Sequence, residues 1–154
     1  MTTRPDKRQM KSAARLYAVQ ALFQMEHSAV NVDAVRKEFT DHRFGMELAG
    51  EALADGDLSL FDQVLEGALA NQAQIDQMTD RALAANWPID RIDPTLRALF
   101  RAAGAELVGK DTPPKVAITE YVDVARAFFP EGREPKFVNA VLDHMAREAR
   151  PEAF

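Results

Sequence analysis

Four cationic side chains, Arg4, Arg8, Lys11 and Arg15, recur at i, i+4, i+7 and i+11 near the start of the sequence. On a helix turning 100° per residue they fall within an arc of roughly 60°. A ridge of that kind can pair with successive phosphates of a nucleic acid. Each pair releases counterions, so affinity falls steeply with salt. The same spacing equally describes a frayed terminus carrying ordinary surface charge. Residues 1–15 hold five cations against Asp6 alone, whereas the remaining chain has 14 basic and 23 acidic side chains. A basic arm on an acidic body points to one localised anion-binding face, not general stickiness.

A second candidate lies in "PKFVNAVLD", Pro135 to Asp143. On a helix opening near Lys136, the residues Phe137, Val141 and Met145 are expected to face the core, flanked by Val138 and Leu142. Lys136, Asn139 and Asp143 then share the opposite side. A lysine and an amide can meet a phosphate and a base edge, while a rim aromatic can stack on an unpaired base. An ordinary amphipathic core helix has the same pattern, and periodicity alone favours that plainer reading.

Little else in the chain could do chemistry. Cysteine is absent, which removes disulfides, thiol nucleophiles and thiolate metal sites together. His27, His42 and His144 share no ligand spacing, and none of the three serines lies in a nucleophile-elbow pattern. The seven glycines are scattered, so no phosphate loop forms. Asp90 and Asp93 read as turn and cap residues. Asp55, Asp57, Ser59 and Glu66 match positions 1, 3, 5 and 12 of a calcium loop, but Leu60 stands where the sharp turn needs glycine. No catalytic constellation, cofactor or metal is expected.

The elements that must position the two candidates are helical throughout. Ala occurs 26 times against 15 for Val and Ile together, a balance that favours helix. A first helix is expected from about Pro5 to His27 on a Leu16/Val19/Phe23 stripe, then one or two shorter helices over 33–54, interrupted near Gly45. A long helix with a kink follows from Leu60 to about Ala85. "NWPIDRIDP" is the candidate seam between two halves. Asp93 caps the next helix with Pro94 at its first position, and Leu96, Leu99, Phe100, Ala103 and Leu107 line one face. Gly104 permits close approach there. "GKDTPP" carries a second cap-plus-proline signal before a helix on Ile118, Tyr121, Val122, Ala125 and Phe128. "FFPEGREP" leads to the last helix, about Lys136 to Arg147. No strand alternation stands out.

These features predict an all-α protein of two packed helical bundles in one compact domain, about 5–85 and 90–149. No apolar run reaches the length of about 20 residues that a membrane span needs. "MTTRPDKRQMKSAARLY" lacks the apolar segment of a secretory signal. A cytoplasmic place is expected. The basic ridge and the outward edge of the closing helix are expected to converge on one nucleotide-gripping surface.

"AVQALFQMEHS" (18–28), "KVAITEYVDVARAF" (115–128) and "KFVNAVLD" (136–143), in this order and at these separations, closely resemble the NusB family of transcription antitermination factors. The resemblance runs from about Lys11 to Arg147 and is most specific where "KFVNAVLD" follows "KVAITE". It implies a compact fold of two helical bundles that binds single-stranded boxA RNA of nascent ribosomal transcripts. Its partner would be NusE, the ribosomal protein, and the pair would act on elongating RNA polymerase with other Nus factors. By matching positions it carries RNA-binding roles to Lys11, Arg15, Phe128, Lys136, Phe137 and Asn139, and Phe23 occupies an aromatic position of its first-helix motif. The chain departs from the family at "KSAAR", where members carry a dense arginine run; Arg4, Lys7 and Arg8 extend the basic arm upstream instead. Two other readings go with the resemblance. One is a stand-alone module akin to the N-terminal domains of ribosomal RNA cytosine methyltransferases. The other is a homodimer that covers its own RNA face.

Overall fold

The computed structural model describes residues 7–43, 47–48, 51–52, 57–86, 92–109 and 111–154. Helix α1, Lys7–Ser28, is rich in alanine and turns its smallest side chains inward: Ala14, Ala18 and Ala21 are buried with Tyr17, Val19 and Leu22. Leu16 and Phe23 are only half-buried. The expected stripe is therefore rotated toward the alanines, which let α1 lie close to its neighbours. Helix α2, Val32–Glu38, is capped by Asn31, whose side chain accepts from the Ala34 N–H at 2.9 Å. It continues into one π-helical stretch, Phe39–Arg43. A two-residue antiparallel ladder follows, strand β1 Glu47–Leu48 against strand β2 Glu51–Ala52.

Helix α3, Leu58–Ala70, opens on Asp57, whose carboxylate accepts from the Leu60 N–H at 3.0 Å. The long helix expected over 60–85 breaks at Asn71, whose side-chain amide donates to the Gly67 carbonyl at 3.1 Å. This local bond competes with the helical ladder. Helix α4, Gln72–Asn86, resumes beyond it.

Helix α5, Pro94–Val108, has the expected Asp93 cap, bonded to the Thr95 N–H at 2.7 Å. It is the hub of the molecule, packing on α1, α3 and α4 and on the last two helices, α6 (Pro114–Phe128) and α7 (Glu134–Ala149). Its small residues make that possible. A Cβ on Gly104 would overlap the Ile75 side chain of α4, so only glycine fits that crossing. Helix α6 has proline at its first turn, but no side chain caps it. The Thr112 hydroxyl donates to Glu106 instead, at 2.8 Å.

α1, α3 and α5 form one packed group, and α4, α5, α6 and α7 a second, with α5 shared. α4 packs chiefly on α7. One apolar cluster runs through both groups, from Tyr17, Phe39 and Phe61 to Leu99, Tyr121, Leu142 and Met145. Each such side chain contributes about 1.5–3 kcal/mol when fully buried. The seam expected near Trp87 lies outside the described residues.

Candidate nucleic-acid interface

α1 begins with Lys7, Arg8 and Lys11 exposed to solvent. They form one wall of an open groove of about 630 Å³. The opposite wall is the N-terminal half of α6, Lys115, Val116, Thr119 and Glu120, and the Asp111–Pro113 connector closes the end. Val116 is 45% exposed, an apolar patch between cations. Among the described residues, no carboxylate lies within ion-pair distance of Lys7, Arg8, Lys11 or Lys115. The carboxylates of the groove are already engaged: Asp111 accepts from Gln63 at 2.8 Å and Glu120 from Ser12 at 3.0 Å. Those neutral donors leave both charges in place, but Lys7, Arg8, Lys11, Arg15 and Lys115 outnumber Asp111 and Glu120, so the groove presents net positive charge to anything that enters. Arg4 lies outside the described residues.

Arg15 is not part of that exposed wall. Its side chain is 5% exposed and forms a bidentate pair with Glu106 of α5, Nε to Oε2 at 2.8 Å and Nη2 to Oε1 at 3.0 Å. Nη1 stands 3.6 Å from Glu120. Burial alone would lower the Arg15 pKa, but the hydrogen bond and charge of Glu106 outweigh it and hold the guanidinium above its ordinary value. The sequence places Arg15 on the ridge by period alone; the structure sets it in the floor, because α5 and α6 close over that turn of α1. Removing one partner of a buried pair costs about 3–5 kcal/mol. The adjoining Tyr121 phenol is pushed well above its usual pKa, by burial first and then by the Glu106 charge. At "KSAAR", Ser12 is half-buried and bonded to α6, and Ala14 is buried in the core.

On α7, Lys136 and Asn139 are exposed as expected. They line a second groove of about 500 Å³ with Val122 and Arg126 of α6 and Pro130, Gly132 and Pro135 of the connecting turn. The buried face of α7 is Val138, Val141, Leu142, Met145 and Ala146, with Phe137 half-buried at its edge. The expected core face was centred on Phe137; the observed one is turned toward Val138 and Leu142, since Ala146 also packs inward. Asp143 accepts from Arg147 at 2.9 Å, a local pair within α7.

The two grooves do not merge into the single surface expected from sequence. They lie in series along α6. Lys115, Thr119, Val122 and Arg126 fall within roughly 60° at 100° per residue, and the first and last are about 16 Å apart at 1.5 Å per residue. Lys115 and Thr119 border the first groove, Val122 and Arg126 the second. Phe128 stands elsewhere. It is half-buried in a third hollow with Phe23, His27, Gln20 and Thr95, where the Phe23 and His27 rings are 4.3 Å apart. Thus Arg8 and Lys11 share one groove with Arg15 beneath them, Lys136 and Asn139 share another, and Phe128 belongs to neither.

Sequence reading missed Lys115, Arg126 and Glu106. Glu106 had a signal: it falls i+3 from Ala103 and i+7 from Leu99, a carboxylate on an apolar stripe that needs a buried cation. The calcium template dissolves into helix, with Asp57 capping α3 and Glu66 paired to Arg36 at 2.9 Å; Asp55 lies outside the described residues. Among the described residues, no helix is long and apolar enough to cross a membrane.

Residues 12–147 match the NusB family. The transcription antitermination protein NusB of Caulobacter vibrioides is 48% identical over 143 residues, covering 92% of this chain and 95% of that protein. Its counterpart from Maricaulis maris is 45% identical over 152 residues, covering 97% and 93%. Among solved structures, T. maritima NusB superposes with a TM-score of 0.71 at 26% identity, covering 99% of both chains. A chain from a complex of antitermination factors NusB and NusE with double-stranded RNA gives the same TM-score at 22% identity, covering 89% and 96%, a likeness of fold.

Proposed function

Since the chain belongs to the NusB family, we propose that it is a transcription antitermination factor that binds boxA RNA of nascent ribosomal transcripts together with NusE. It is a binding protein and not an enzyme, acting in the cytoplasm on RNA emerging from elongating polymerase with other Nus factors. The observation that carries the RNA part is the groove between α1 and α6, where Lys7, Arg8, Lys11 and Lys115 stand around exposed Val116 without carboxylate partners among the described residues. Such a groove suits a single strand: cations track the phosphates and an apolar side chain meets a base face. The Lys136/Asn139 groove extends this face along α6 and supplies an amide that can read a base edge.

The groove is short, so affinity for RNA alone is expected to be modest. A second contact made through NusE forms at high effective concentration and tightens the whole. Titrating boxA-like RNA against the protein alone and with NusE, at several salt concentrations, tests this. Tighter binding with NusE, preference over a scrambled RNA and a falling affinity with salt are the expected result. Equal affinity for boxA and scrambled RNA, with no gain from NusE, would overturn it.

A further inference from the structure

The floor of the α1/α6 groove is a buried polar network. Glu106 of α5 accepts both bonds of Arg15 and the Thr112 hydroxyl. Glu120 of α6 accepts from Ser12 of α1 and faces the remaining Arg15 nitrogen. Arg150, beyond α7, donates to the Thr112 carbonyl at 3.0 Å. Every segment that walls the groove thus meets one pair: α1 supplies Arg15 itself, the connector bonds Glu106 through Thr112, and α6 faces Arg15 through Glu120. The guanidinium fork fixes angle as well as distance, because its two parallel bonds to one carboxylate admit a single relative orientation of α1 and α5. A lysine could keep the charge but not that orientation.

We propose that Arg15 and Glu106 are positioning residues of the RNA site: the pair sets the cationic edge of α1 against the Lys115 edge of α6, and Arg15 makes no phosphate contact of its own. This inference rests on the RNA reading above. It separates Arg15 from its ridge neighbours Arg8 and Lys11, which face solvent at the same groove. A phosphate ligand and a positioning residue leave different marks. Losing a phosphate contact lowers the salt slope by about 0.7 for a single strand. Losing a positioning contact weakens binding while the slope stays.

The test is a salt series of boxA-like RNA binding, with NusE present, for wild type, Lys11→Ala, Arg15→Lys, Arg15→Met and Glu106→Gln. Lys11→Ala is expected to reduce the slope. Arg15→Lys and Glu106→Gln are expected to weaken binding by about fivefold, the scale of coupling between directly bonded residues, with the wild-type slope. Wild-type affinity in Arg15→Lys would overturn the proposal, as would a reduced slope in Arg15→Met. Should these variants not fold, the wild-type protein decides: the Arg15 Nε–H resonance is expected to exchange slowly and hold its position when RNA is added. A large shift on RNA addition would mean that Arg15 turns to the ligand, and the proposal falls. Absence of wild-type binding to any boxA-like RNA, with NusE present, would instead remove the RNA reading itself.

Discussion

Asn139 is exposed on α7, at the edge of the face that buries Val138, Val141 and Leu142, and its neighbour Lys136 is also exposed. Removing its amide leaves the core untouched, so Asn139→Ala is expected to weaken RNA binding with an unchanged melting temperature. A large fall in that temperature would return the residue to a structural role. A different residue tests pH. Both oxygens of Glu148 accept from Arg81, at 2.7 and 2.8 Å, and this bond holds the carboxyl below its ordinary range. A lowered folded pKa gives stability that is present above the unfolded pKa and lost as pH falls through the folded one. The pair is exposed, so the effect is small. Glu148→Gln is expected to melt slightly earlier than wild type at neutral pH and together with it in acid; a gap that persists in acid would deny the linkage. At this scale the sequence announced charges but not their partners. Lys11 and Arg15 look alike in a row of letters, and only the packing of α5 over one turn of α1 separates a solvated cation from a buried one.

Between elements the contacts are set by residue size, and here the sequence was most informative. Asp93 followed by Pro94 marked the start of α5, and the Tyr121/Ala125 period gave the buried face of α6. A kink between Leu60 and Ala85 was expected, but its place at Asn71 was not legible, because a single amide turned back on Gly67 ends α3 without a proline or a change in apolar period. The rotation of α7 was missed for a related reason: Phe137 is the largest apolar residue of its segment, yet the small Ala146 takes a place in the core and shifts the centre of the face. Gly104 gives this scale its test. Even one added methyl meets Ile75, itself fully buried, so Gly104→Ala must push α4 from α5. The expected loss is about 1–3 kcal/mol from overpacking, despite the better helix propensity of alanine. In a domain of this size it corresponds to a melting temperature lower by roughly 2–4 °C per kcal/mol. An unchanged or raised melting temperature by calorimetry would show that the crossing has slack.

At the scale of the molecule the question is what covers the positive face when no RNA is bound. The chain carries a net charge of −5, yet Lys7, Arg8, Lys11 and Lys115 gather at one groove. A dimer closed through that groove would be two-fold, so each patch would meet its own copy. Four cations with no carboxylate partner among the described residues would then face four others, and like charges brought together oppose association most at low salt. A partner that fits this face must bring negative charge, which RNA does and the same groove of a second copy does not. The chain alone is therefore expected to sediment at the monomer mass in low salt, even at high protein concentration. Adding NusE should give one heterodimeric species, and adding RNA a heavier one that dissociates as salt rises. A self-dimer that forms at low salt, withstands dilution and gives way when boxA-like RNA is added would mean that the groove is closed by another copy, with the cations held apart around Val116.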